Sequence, residues 1–198
     1  MTYWFRRADA GSEEWFEAGD DAIAVRQASF HSPEGPASVA ASRAELSWVL
    51  DEFEILGAQL YEARYGTLLN GPADGGEPVS EAEFDAAWQR ARHSRNNTAP
   101  ETVGPLPQGT RLSGTVSVLP WGPGRTGLFV DLGLPIVGFV DLGHLPLAPE
   151  DWPDVGVVTE FEVTTVRFHF EPRGDPQIRL RPTATPPPGR PWRHPVLP

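Results

Sequence analysis

The chain has 198 residues, 39% hydrophobic and 10% aromatic, with 22 prolines and 20 glycines, which points to one or two small, turn-rich globular domains. All 16 of its basic residues are arginine, set against 27 acids for a formal net charge of −11; without lysine, a Walker-type phosphate loop, a Schiff-base enzyme and a protein kinase are excluded. Cysteine is absent too, which removes disulfides, thiol catalysis and thiolate metal sites.

The opening residues, MTYWFRRADAGSEEW, lack the apolar core of a signal peptide, and no run approaches the roughly 20 apolar residues of a membrane span. A cytoplasmic protein with no membrane partner is expected. TYWFRR, EEWFEA and DAIAVRQASFH are alternating or aromatic-rich, and the last two are separated by the turn signal Gly19-Asp20-Asp21, so they predict a small antiparallel meander to which ASVAA adds a short strand. Ser42-x-x-Glu45 is a capping box, and Leu46, Val49, Leu50, Phe53, Leu56 and Leu60 follow at helical spacing up to a stop at Gly66. A second box, Ser80-x-x-Glu83, opens a helix with Phe84, Ala87, Trp88 and Ala91 on one face. Residues 1–93 therefore read as an α+β domain, a small antiparallel sheet plus two helices. Its densest acidic run, Asp51 to Glu54, flanks the apolar stripe and reads as a solvated face rather than a catalytic pair. His31 and His93 stand alone, without a second ligand at metal spacing.

Residues 94–108, SRNNTAPETVGPLPQ, are polar and proline-broken and predict a linker. Beyond it, GTRLSGTVSVLP alternates, with Leu112, Val116 and Val118 on one side and Gly114 where a strand bends or another backbone approaches. TGLFVDLG and IVGFVDLG are two short strands joined at Gly133-Leu134-Pro135, TEFEVTTVRFHF is a long strand, and the turn EPRGDP leads into QIRLRP. Five strands within 109–182 fit a small closed barrel, because closure removes exposed edges. Gly122-x-Gly124-x-x-Gly127 has the spacing of a dinucleotide loop, but LFVDLG follows it as a strand, so it reads as a hairpin turn and no cofactor is expected. Trp152 is expected to plug the barrel end, and 183–198 is a proline-rich tail expected to be disordered. Residues 1–100 carry 8 arginines against 17 acids and 101–182 carry 6 against 10, so acidity concentrates in the first half.

Over residues 109–181 the order G-x-V-x-x-V, F-V-D-L-G, G-F-V-D-L, an irregular connection ending V-G, a long strand and I-R-L resembles the S-one-type RNA-binding domain, the OB-fold module of the largest protein in the small ribosomal subunit. That resemblance implies a base-stacking face on the second and third strands. Trp121, before Gly122, would match the first aromatic of such domains and Phe129 the second. If Leu128 and Val130 point inward, Phe129 points outward. Arg179 and Arg181 alternate with Ile178 and Leu180 and are placed to meet phosphates, with Arg125 reaching from the loop and Arg167 from the long strand. The chain departs from the family in three respects: the turn between Trp121 and Phe129 is five residues longer, Asp141 stands at the usual histidine position, and the domain is acidic. The first half, with its WFE and VRQ segments and closing VSEAEFDAAW helix, resembles small immunity proteins encoded beside bacterial polymorphic toxins.

Two readings follow. In one, the protein is a non-enzymatic binding module whose barrel takes single-stranded nucleic acid, RNA foremost, through Trp121, Phe129 and the arginines. In the other, it is an acidic interaction or immunity protein whose first domain engages a basic protein partner while the barrel serves as scaffold.

Overall fold

The computed structural model describes residues 1–32, 34–73, 75–96, 102–170 and 173–192. The chain forms two compact units, Met1–Ala99 and Pro100–Pro198, divided within the expected linker. Residues 97–101 of that linker lie outside the described residues, while Leu106 is buried and the Gly109 N–H donates to the Val163 carbonyl, so its second half belongs to the barrel unit.

In the first unit the alternating segments form β1 (Tyr3–Asp9), β2 (Ser12–Ala18), β3 (Ala24–Phe30) and β4 (Ala37–Ser42) in an antiparallel meander. A two-residue strand that local pattern does not announce, β5 (Glu77–Pro78), adds to β1 and gives the order β4-β3-β2-β1-β5. Helix α2 (Glu81–Asn96) lays its predicted face, Phe84, Trp88 and Ala91, on Ala28, Phe30 and Ala40 of the sheet. Arg26 ties these layers together: it is ion-paired with Glu17 on β2 and, at 3.2 Å, with Asp85 on α2, and it lies over the rings of Phe84 and Trp88.

The α2 capping box forms as its spacing predicts. The Ser80 N–H donates to the Glu83 carboxylate at 2.8 Å, and the Ser80 hydroxyl accepts from the Glu83 N–H at 3.3 Å. The backbone bond from Ser80, reinforced by its hydroxyl, holds the Glu83 carboxyl below its ordinary value. A carboxyl depressed in the folded state stabilises it above its unfolded value and loses that contribution as pH falls through the folded one. Glu83→Gln is accordingly expected to lower Tm at about pH 7 and to have a smaller effect at about pH 3; thermal melts at both pH values check this.

Helix α1 (Arg43–Tyr65) departs from its predicted form. Ser42 is its N-cap but makes no side-chain cap bond. Instead the Tyr61 hydroxyl, fully buried, accepts from the Ser42 N–H and donates to Glu45, both at 2.8 Å. Removing that oxygen in Tyr61→Phe strands a buried N–H and is expected to cost about 1–3 kcal/mol, measurable by urea unfolding. The helix is also broken at Phe53 and Glu54, where Glu54 takes φ 57. Val49, Phe53 and Leu60 are buried as expected, whereas Leu50 before the break and Ile55 after it face outward. Gly57 permits a close approach, since a Cβ there would lie 2.5 Å from the Val49 carbonyl oxygen.

The second unit is a closed barrel of β6 (Arg111–Val118), β7 (Gly127–Asp131), β8 (Gly138–Asp141), β9 (Val158–Phe170) and β10 (Arg173–Pro182), in the order β10-β8-β7-β6-β9. All neighbours are antiparallel except β8 and β10, which run parallel. This is the closed five-stranded OB-fold barrel expected. Val116, Leu128, Val130, Val140, Phe161, Val163, Ile178 and Leu180 fill it. No helix follows the Gly122, Gly124 and Gly127 series, which ends directly in β7.

Three local expectations for this unit change. Ser117 is bulged out of the β6–β7 pairing, which moves Val118 from the predicted inner face to the outer one, opposite Phe129. Of the predicted turn EPRGDP, residues 171–172 lie outside the described residues, and β10 already begins at Arg173. Finally, residues 183–192 of the tail are docked rather than disordered. The Gly189 N–H donates to the Asp151 carboxylate at 2.7 Å, and the buried Trp192 donates its indole N–H to the Asp151 carbonyl at 2.9 Å. A large aromatic with a satisfied polar handle outweighs the proline-rich composition around it. Residues 193–198 lie outside the described residues. Trp152, expected as a plug, is buried with its indole N–H bonded to the Pro146 carbonyl.

Candidate nucleic-acid interface

On a strand, alternate side chains leave opposite faces of the sheet. With Leu128, Val130 and Val140 inside the barrel, Phe129 on β7 and Phe139 on β8 point outward. They are directly opposite each other across the ladder, with ring centroids 5.0 Å apart at 64°, an edge-to-face pair. The parallel partner of Phe139 on β10 is Arg179, and its guanidinium lies 4.6 Å over the Phe139 ring. The partner of Phe129 on the other side is the bulge-displaced Val118. Val118, Phe129, Phe139 and Arg179 thus form one continuous outward row across four strands. This is the face formed by the second and third strands, where OB-folds take oligonucleotides.

Arg179 is the electrostatic centre of the row. Its side chain is only 12% exposed, and it donates to Asp141 at 2.7 Å, while Asp141 is 46% exposed. Burial pushes the guanidinium below its ordinary value, the Asp141 carboxylate opposes that, and nearby Arg167 adds to the depression. A guanidinium stays charged in proteins, so its partial burial depends on the facing carboxylate. The Arg179 Nε is buried and has no partner among the described residues. Arg181 is paired with Glu162 at 2.6 Å, and Arg111 with Glu160 at 3.5 Å.

Of the residues the sequence singles out, Phe129 and Arg179 share the row, and Arg181 lies next along β10 but paired. Arg167 is exposed on β9 opposite Gln177, and with Arg125 it has no ion pair among the described residues. Trp121 does not join Phe129. It sits in the long turn at φ 68, 82% exposed, and lines a shallow depression with Arg125 and Thr126. Trp121 thus stands off the sheet, and the ring beside Phe129 is that of Phe139. Sequence reasoning passes over Phe139, although the repeated FVDL segments signal it, since Phe129 and Phe139 hold the same place in both. Phe129 points outward as expected but is half-buried rather than fully open.

No family model matches the chain, and no curated protein matches it significantly. Among the described residues no cluster of three or more histidine and carboxylate side chains is arranged to hold a metal, and no helix is long and apolar enough to cross a membrane.

Proposed function

We propose that this protein is a non-enzymatic, cytoplasmic binding protein whose barrel takes single-stranded nucleic acid, RNA foremost, on the outer face of β7 and β8. The observation that carries this reading is the outward Phe129–Phe139 pair, flanked by the Arg179 guanidinium on the OB face. The S-one-type sequence order over 109–181 supports the same placement. Trp121, Arg125 and Arg167 extend the surface around the rings, and Arg181 contributes from β10.

Because Arg179, Arg181 and Arg111 are already paired with neighbouring acids, stacking supplies most of the affinity, and Arg125 and Arg167, which have no ion pair among the described residues, displace counterions. Each phosphate neutralised on a single strand contributes about −0.7 to the slope of log affinity against log salt, so a slope between about −1 and −2 is expected. Anisotropy titrations of labelled mixed-sequence RNA at several salt concentrations measure it. Absence of any anisotropy change at low salt refutes the reading.

A second reading, an acidic interaction or immunity protein with a basic protein partner, is favoured by one place in the first unit. At the α1 break, exposed Leu50 and Ile55 stand among exposed Asp51, Glu52 and Glu54. Co-purification with products of adjacent genes, abolished by Ile55→Arg, is its test; recovery of nucleic acid alone counts against it.

A further inference from the structure

We propose that Asp141 makes the barrel face selective for guanine, by accepting two hydrogen bonds from the edge of a base stacked on the Phe129–Phe139 pair. The inference rests on reading this face as a single-strand site, and it names which base the site prefers.

Asp141 lies two residues beyond Phe139 on β8, so its side chain leaves the sheet on the same side as that ring. Its two lateral neighbours are unlike. Toward β10 it meets Arg179, whose NH1 donates to Oδ1 at 2.7 Å. Toward β7 the residue directly opposite is Gly127, over which the Phe139 ring closes, since a Cβ there would lie 2.8 Å from that ring. The two members of the ion pair also sit at different depths, the guanidinium 12% exposed and the carboxylate 46%. The cation is sunk beneath the surface and the anion stands at it, with one carboxylate oxygen held by Arg179.

An anion so placed repels phosphate, which removes the backbone as its ligand. An ionised carboxylate accepts through about four lone-pair directions, and one N–H from Arg179 leaves the rest for a ligand. The groups it attracts are N–H donors on a base edge. Guanine presents two side by side on its Watson–Crick edge, the N1–H and the 2-amino group, matching two carboxylate oxygens as an arginine fork does. Cytosine and adenine offer one amino group there, and uracil a single N–H. The rings beside Asp141 give that base its π-face, and Arg179 acts as a positioning residue that fixes the orientation of the carboxylate.

The test uses the full chain and a short labelled oligouridylate carrying one central guanosine, adenosine, cytidine or inosine, read by anisotropy at low salt. Guanosine is expected to bind about tenfold more tightly than the other three, the usual discrimination of a bidentate base contact. Inosine is the decisive comparison, because it differs from guanosine only in lacking the 2-amino group. Asp141→Asn, with one acceptor replaced by a donor, is expected to bring guanosine down to the level of inosine. If that variant fails to fold by circular dichroism, the guanosine–inosine comparison on the wild-type chain decides alone. Equal affinity for guanosine and inosine, or an Asp141→Asn loss that is uniform across all bases, overturns the selectivity while leaving single-strand binding intact. Binding of none of the oligonucleotides overturns both.

Discussion

Phe139→Ala is expected to weaken single-stranded RNA binding by roughly 5- to 150-fold, the equivalent of one stacked base worth about 1–3 kcal/mol. The loss should exceed that of Phe129→Ala, because Phe139 touches both neighbours in the row. Its ring meets Phe129 at 5.0 Å and carries the Arg179 guanidinium at 4.6 Å, whereas Phe129 has only the first contact and Val118 beyond it. Truncation therefore removes a stacking surface and the floor on which Arg179, and through it Asp141, is held. Phe139→Leu separates these roles, since it keeps most of the apolar volume and lacks the π-face. Anisotropy titrations paired with thermal melts should show Phe139→Leu folded and nearly as weak a binder as Phe139→Ala. Wild-type affinity in Phe139→Leu would show that aromatic stacking is not the source of binding.

The second large effect concerns Gly127, the residue that begins β7. Its φ is 137, a conformation that side chains rarely adopt, and a Cβ there would sit 2.3 Å from the Val140 carbonyl oxygen and 2.8 Å from the Phe139 ring. The backbone strain alone is about 1–3 kcal/mol. The carbonyl cannot withdraw without loosening the β7–β8 ladder, so Gly127→Ala should cost about 3 kcal/mol or more, a large share of a marginal stability of about 5–15 kcal/mol. Gly122→Ala is the control: it shares a positive φ of 81 but meets nothing within 4 Å. Denaturant unfolding followed by tryptophan fluorescence should place Gly127→Ala well below Gly122→Ala. Equal losses would mean that the close approach at Gly127 contributes nothing.

Much of this architecture is legible along the chain because its causes are local. Alternation in TYWFRR, EEWFEA and GLFVD needs only the pleat of a strand, and the Ser80-x-x-Glu83 box needs only residues three apart, so these elements form as read. The same spacing at Ser42-x-x-Glu45 fails for a nonlocal reason. Tyr61, from the far half of the broken helix, supplies the hydroxyl that bonds the Ser42 N–H and Glu45. The outward position of Val118 likewise depends on a bulge that exists only when β6 is paired with β7. Trp192 is held by Asp151, far back along the chain, which composition of the tail cannot foretell.

For the outer face of β7, β8 and β10, periodicity within each strand settles that Phe129, Phe139, Arg179 and Arg181 point away from the barrel interior, since their neighbours are the apolar ones. Which of them stand side by side is settled by register between β7, β8 and β10, and that follows from how the barrel closes. The Arg179–Asp141 pair joins residues 38 apart in sequence, and closure alone sets them 2.7 Å apart. Side-chain direction is a property of the single strand, whereas adjacency is a property of strand pairing, and the face of this barrel depends on both.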